Sequence, residues 1–203
     1  MFFKMTVLKR LMKKAYKGPG LTVGRNRIGE DMSGIYLSGG YWIIWHRDDE
    51  KHKMPKELKA AIIELCGELP LLGEQFKVNE GGSQYEIEIP EVYNIPKIFG
   101  TCRNWYEVTK LMCKQSDVTI RFLQNESKKV EAINEVFIDL INTNAVEPER
   151  GECMPYGPVA KEEKPRALYW GNNVCYLMVC PRYPLDFEEE MWTYLEGVNI
   201  VRN

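Results

Sequence analysis

Residues 54–96 read MPKELKAAIIELCGELPLLGEQFKVNEGGSQYEIEIPEVYNIP, and the order of signals along this stretch sets the fold class. Pro55 suits the first position of a helix, where its missing N–H costs nothing. Leu58, Ile62, Leu65 and Leu69 then recur at helical spacing and make one apolar stripe, which Pro70 and Gly73 end. Gly81 and Gly82 divide two extended segments, Phe76–Asn79 and Tyr85–Ile89. In the second of these, Tyr85, Ile87 and Ile89 alternate as one buried face of a strand requires. A helix feeding a half-buried hairpin is an α+β unit, and Pro90–Pro96 reads as a connector after it.

The same plan stands upstream. Residues 6–17, TVLKRLMKKAYK, lay Val7, Leu8, Leu11, Met12, Ala15 and Tyr16 on one helical arc and Lys9, Arg10, Lys13, Lys14 and Lys17 on the other. Gly18, Pro19 and Gly20 stop that helix. Extended segments follow at Leu21–Gly24, Gly34–Leu37 and Tyr41–His46, the last two joined by a tight turn at Ser38, Gly39 and Gly40. Helix, three strands, helix and two strands form a weak internal repeat in element order.

Downstream, the spacing predicts a helix over 104–115, a strand over 118–123 and a third helix over 128–142 with Val130, Ile133, Phe137, Leu140 and Ile141 facing inward. Residues 143–166, rich in Pro and Glu and without periodicity, read as a long surface loop. A hairpin is expected from Ala167–Trp170 and Val174–Cys180. A closing helix follows from Leu185 to Val198, its first turn carrying Asp186, Glu188, Glu189 and Glu190 as the helix dipole favours. The expectation is an α+β protein of two similar halves, 1–96 and 97–203, with helices packed on one face of antiparallel sheets.

Charge is distributed unevenly. The first 29 residues hold eight Lys and Arg and no Asp or Glu, whereas the whole chain has 27 basic and 29 acidic residues, so one end is built to meet something anionic. A length of 203 residues fits one or two domains with a real core. No apolar run reaches the ~18 residues of a membrane span, and charges interrupt the apolar residues of MFFKMTVLKRLMKK, unlike a secretory signal. A cytoplasmic protein is expected. Cys66, Cys102, Cys113, Cys153, Cys175 and Cys180 include no C-x-x-C pair, and with only His46 and His52 no usual zinc spacing forms. Free, mostly buried thiols and no cofactor are expected.

Three stretches carry a resemblance to the DNA sliding clamps, the ring-forming processivity factors of replication. Residues 54–96 are similar to the bacterial clamp pattern of a helix ending in Leu-Pro, a strand, a turn, a strand and a Pro-bearing connector. Residues 34–48, GIYLSGGYWIIWHRD, resemble the strand, short turn and strand after the first clamp helix. Residues 167–183, ALYWGNNVCYLMVCPRY, are similar to the closing strand pair that leads into Met, Pro and Arg. The resemblance covers 4–96 well and is patchy beyond. It implies helices that present Lys and Arg to duplex DNA without sequence preference: Lys9, Arg10, Lys13, Lys14 and Lys17, and then Arg103, Lys110 and Lys114. It also implies a pocket for replication-type protein partners near Tyr176, Met178, Pro181 and Arg182, which the chain beyond Arg182 is placed to cover. Two clamp-like halves per chain imply an oligomer, a trimer if the ring were complete.

Plainer alternatives stand beside these. The basic helix also suits a simple solvated face, an acidic protein partner or an anionic membrane surface, the roles of an adaptor. Tyr41, Trp42, Trp45, Tyr169 and Trp170 suit either a base-stacking platform or sheet packing. His46, Asp48, Asp49, Glu50 and His52 form the one cluster with metal or acid–base chemistry, and they equally suit a charged turn. Without a P-loop, a dinucleotide fingerprint or a nucleophile elbow, the residues point to binding rather than catalysis.

Overall fold

The computed structural model describes residues 2–86, 93–144 and 152–201. Its first elements are α1 (Met5–Lys17), β1 (Leu21–Ile28), β2 (Met32–Ser38), β3 (Trp42–Arg47), α2 (Lys56–Cys66), β4 (Gln75–Asn79) and β5 (Gly82–Glu86). There follow α3 (Ile95–Phe99), β6 (Asn104–Gln115), β7 (Val118–Asn125), β8 (Val130–Asn134), α4 (Val136–Leu140), β9 (Tyr156–Ala160), β10 (Leu168–Gly171), β11 (Cys175–Val179) and α5 (Glu189–Gly197). The expected strand end at Ile87 and Ile89, the start of the Pro90–Pro96 connector and residues 145–151 of the expected loop lie outside the described residues.

Among the described residues, eleven strands form one sheet in the order β5-β4-β1-β2-β3-β11-β10-β9-β6-β7-β8, and each neighbouring pair is antiparallel. The protein is α+β. Strands from the two ends of the chain meet at β3 and β11, in register from Trp42 opposite Val179 to His46 opposite Cys175.

One face of the sheet carries α1, α2 and α4. Leu8, Leu11, Met12 and Ala15 of α1 and Leu58, Ala61 and Ile62 of α2 are buried against Leu21, Val23, Ile35, Leu37, Trp42, Ile44, Phe76 and Val78. The same core continues through Leu168, Trp170, Leu177 and Val179 into Tyr106, Leu123 and Ile133. The opposite face packs Tyr36, Ile43, Trp45, Tyr169 and Met178 against Ile95 of α3 and Cys102. Because β3, β10 and β11 are covered on both faces, WIIW, LYW and CYLMV read as unbroken apolar runs rather than alternating ones.

The six strands from β11 to β8 cannot lie flat. At ~4.8 Å per strand, β8 would stand about 24 Å from β11. Yet Arg182, three residues past β11, donates its N–H to Ala132 O of β8 at 2.7 Å. Three residues reach only about 10 Å, so this half of the sheet rolls back on itself. The N-terminus joins the closure: Lys4 N donates to Leu140 O and Asn142 N to Phe2 O, each at 2.8 Å, with Phe2 and Phe3 buried.

Three expected elements are corrected. Residues 104–115 are strand β6, not a helix. A bulge between Val108 and Met112 shifts the pleat, so the buried residues Tyr106 and Thr109 fall three apart and imitate a helical period. The expected helix over 128–142 is strand β8 followed by the five-residue α4. Lys128, at φ 61°, turns the chain back onto β7, and its N–H bonds Asn125 O at 2.9 Å. Within 143–166, residues Tyr156–Ala160 form β9, which lies between β10 and β6. The closing helix is found where expected, as a 3-10 turn at Asp186–Glu188 leading into α5. Trp192, Leu195 and Ile200 cover Ile120, Phe122, Val130 and Ala132. No described helix is long and apolar enough to cross a membrane. None of the six cysteines is paired: Cys102 and Cys175 are buried and Cys153 is exposed.

Candidate nucleic-acid interface

The basic face of α1 follows directly from its sequence. Leu8, Leu11, Met12 and Ala15 are drawn onto the sheet, which forces Lys9, Arg10, Lys13, Lys14 and Lys17 outward, and all five are exposed. The helix contains no acidic residue to offset them. Lys14 and Lys17 lie in its last turn, where the dipole favours cations, and Gly18 and Gly20 return their N–H groups to Ala15 O at 3.1 and 2.8 Å. Beside it, α2 exposes Lys56 and Lys59.

Acidic neighbours trim this surface. Lys13 Nζ lies 3.2 Å from Glu64 Oε1 of α2, an exposed pair of the kind that contributes ~0–1 kcal/mol. Arg10 and Lys14 border a cleft of about 410 Å³ shared with Asp117, Glu135 and Asp139. Glu135 is already committed to Arg121, whose Nε donates to it at 2.7 Å. Among the described residues Lys9, Arg10, Lys14 and Lys17 form no ion pair, so four of the five cations are free for an external anion. Lys14 and Lys17 also rim an apolar groove of about 470 Å³ formed by Leu11, Ala15, Pro19, Tyr41 and Trp42.

The other expected cations are not on a helix. Arg103 precedes β6 and donates Nη1 to Gly100 O at 2.9 Å and to Cys102 O at 2.7 Å. Lys110 and Lys114 are exposed on β6 itself, which β11, β10 and β9 separate from β3. They make no helical surface with α1.

Tyr176 is half-buried on the opposite face, 5.8 Å from Trp45 and 5.3 Å from Phe99 between ring centres. Met178 is buried in the same layer. Pro181 and Arg182 border a cleft of about 280 Å³ with Tyr41, Ile133 and Phe137. Arg182 Nη2 stands 3.7 Å from Glu188 Oε1, so the chain beyond it folds back over this segment. That extension then crosses β7 and β8, where Trp192 Nε1 donates to Val130 O at 3.2 Å. Gln124 Oε1 accepts Ile200 N at 2.9 Å, and its Nε2 donates to Val198 O at 2.9 Å.

The charged cluster after β3 is a structural knot. Asp48 Oδ2 accepts Arg25 Nη2 at 3.0 Å and Oδ1 accepts Met54 N at 3.0 Å, while Ser33 Oγ donates to Asp48 O at 2.8 Å. Burial opposes ionisation of Asp49, but hydrogen bonds from Arg47 and from the N–H groups of His52 and Lys51 outweigh it and hold its carboxyl at about 2. His46 is enclosed, and burial lowers it to about 4 against the raising effects of the Arg47 backbone and Asp48, so it is neutral near pH 7. The Asp48 carboxylate thus pins the β3–α2 turn to β1, the Asp48 backbone ties it to β2 through Ser33, and Asp49 closes the turn on itself. Among the described residues no group of three or more His, Cys, Asp and Glu is arranged to hold a metal.

Trp42, Trp45, Tyr169 and Trp170 are buried between the layers, so of the five aromatics suited to stacking only Tyr41 reaches solvent. A different aromatic pair, Trp105 and Tyr156, is exposed. The sequence signal for it was hidden, since Trp105 was expected on a helix and Tyr156 in a loop.

No family model matches the chain, and neither a curated protein nor a solved structure gives a significant match. Function rests on the geometry.

Proposed function

We propose that this protein is a non-catalytic, sliding-clamp-like binding protein that holds duplex DNA through the phosphate-facing cations of α1. The observation that carries the reading is a helix with five outward cations and no acid, lying beside α2 on one face of an antiparallel sheet. Such a face tracks a phosphate backbone without reading bases. In this proposal replication-type proteins dock at the cleft beside Pro181 and Arg182, at the end of the Tyr176–Arg182 segment, and oligomerisation completes the DNA-encircling surface. The involvement of Asp48 and Asp49 in ion pairs and the burial of His46 support a binding role over catalysis.

The test is retention of long duplex DNA as salt rises. Wild type should lose affinity steeply, by a log–log slope of about 0.9 for each phosphate neutralised. A variant combining Lys9→Glu, Lys13→Glu and Lys17→Glu should lose binding. Affinity that stays constant between low and high salt would sink the proposal.

The second reading is an adaptor whose α1 docks on an acidic protein partner or an anionic membrane, and the apolar groove rimmed by Lys14 and Lys17 favours it. Flotation with anionic vesicles beside the duplex retention assay separates the two. Flotation without retention selects the adaptor.

A further inference from the structure

The sheet face opposite α1 bears a second, differently built strip. Trp105 on β6 and Tyr156 on β9 are 38% and 55% exposed, with ring centres 4.8 Å apart and planes at 60°. Phe99 of α3 buttresses Tyr156 from beneath, 6.1 Å away and edge-on. The pair is therefore held in place while its outer surface stays open.

Cations stand at one end of this pair. Trp105 is opposite Val159 and Asn104 opposite Ala160, and Arg103 N donates to Ala160 O at 3.1 Å. The alternation of the two strands then puts Arg103 and Lys161 side by side on the face that carries Trp105. Asn104 Nδ2 donates to Lys161 O at 3.1 Å and fixes the approach of the two segments. Arg103 and Lys161 are both exposed. Glu107 closes the other end of the strip, beyond Trp105.

A rigidly held, exposed aromatic pair offers its open ring surface to a planar partner, and the adjacent positive charge favours one that is anionic. We infer that Trp105 and Tyr156, with Arg103 and Lys161, form a stacking site for single-stranded nucleic acid. A base packs on the indole and phenol rings while its phosphate meets the two cations, an arrangement that tolerates any sequence because every base has a π-face. The site lies across the sheet from α1 and does not depend on duplex binding there.

The probe is a labelled oligothymidylate of about 15 nucleotides, within the site sizes usual for such surfaces, titrated with the full chain. Trp105→Ala combined with Tyr156→Ala should weaken binding by about tenfold or more, and Trp105→Phe should restore part of it. Lys161→Glu should also weaken binding and flatten its salt dependence. The triple Glu variant of Lys9, Lys13 and Lys17 should keep oligothymidylate while losing duplex, so failure of one site is distinguishable from failure of the other. Both aromatic side chains are exposed, and matching far-ultraviolet circular dichroism and melting midpoint would confirm that the variants fold. The inference is overturned if wild type ignores oligothymidylate or if the aromatic variants bind it as wild type does. It is also overturned if the strip instead takes up a neutral oligosaccharide or a proline-rich peptide.

Discussion

Individual side chains lock this sheet through buried polar contacts. Trp45 Nε1 donates to Asn26 Oδ1 at 2.8 Å inside the layer shared with α3. Asn26→Ala should strand that N–H and cost about 1–3 kcal/mol in denaturant unfolding. A loss below ~0.5 kcal/mol would show that the indole finds another partner. Gly34 is required by the same ring, because a Cβ there would meet Trp45 Cζ2 at 2.2 Å. His46 sets a pH response. Since its folded value is about 4 against 6.5, stability is fully present above about 6.5 and is lost as pH falls towards 4, by roughly 3 kcal/mol over the full range. Glu131 acts with the opposite sign. Burial and the nearby Glu196 raise it to about 7, so its contribution is complete below about 4.5 and is lost as pH rises through 7. The two slopes partly cancel in wild type. In His46→Gln the Glu131 slope is left unopposed, so between pH 6.5 and 4 acidification should raise its stability relative to wild type, and equal slopes would refute the assignment.

Among the elements, β6 departs most from simple pattern logic, whereas α5 stands where the sequence places it along the chain. The bulged β6 is held by side-chain bonds that replace missing ladder bonds: Thr109 Oγ1 donates to Phe122 O at 2.8 Å, and Arg121 Nη1 donates to Thr109 O at 2.8 Å. α5 is a short helix, and its position comes from packing more than from propensity. Trp192 meets Phe122 at 5.4 Å between ring centres. Trp192→Ala should cost about 3–5 kcal/mol in urea unfolding, the range for deleting a buried aromatic. A cost below ~1 kcal/mol would mean that α5 is not fixed on β7 and β8.

Across the whole molecule, the core under α1 and α2 runs without a break into the rolled half of the sheet, and the backbone of residues 2–4 is bonded to that of 140–142. Such coupling predicts one cooperative thermal transition, with equal calorimetric and van't Hoff enthalpies. Two resolved transitions would show that 1–96 and 97–203 unfold separately. Much of this molecule was legible in the chain. The basic arc of α1, the hairpins β2–β3 and β10–β11, and α2 with β4 follow from local periodicity, apolar runs and turn residues, because each signal is complete within a short stretch of chain. β6, β8 and β9 did not show themselves, because their burial depends on a bulge, on a strand shared between two cores and on partners far away in sequence. The exposed pair Trp105 and Tyr156 belongs with these. Its two rings come from strands about fifty residues apart, and no local spacing brings them together. Composition and periodicity specify which surfaces are apolar or charged, whereas strand order and the rolling of the sheet, governed by long-range pairing, specify which of those surfaces meet.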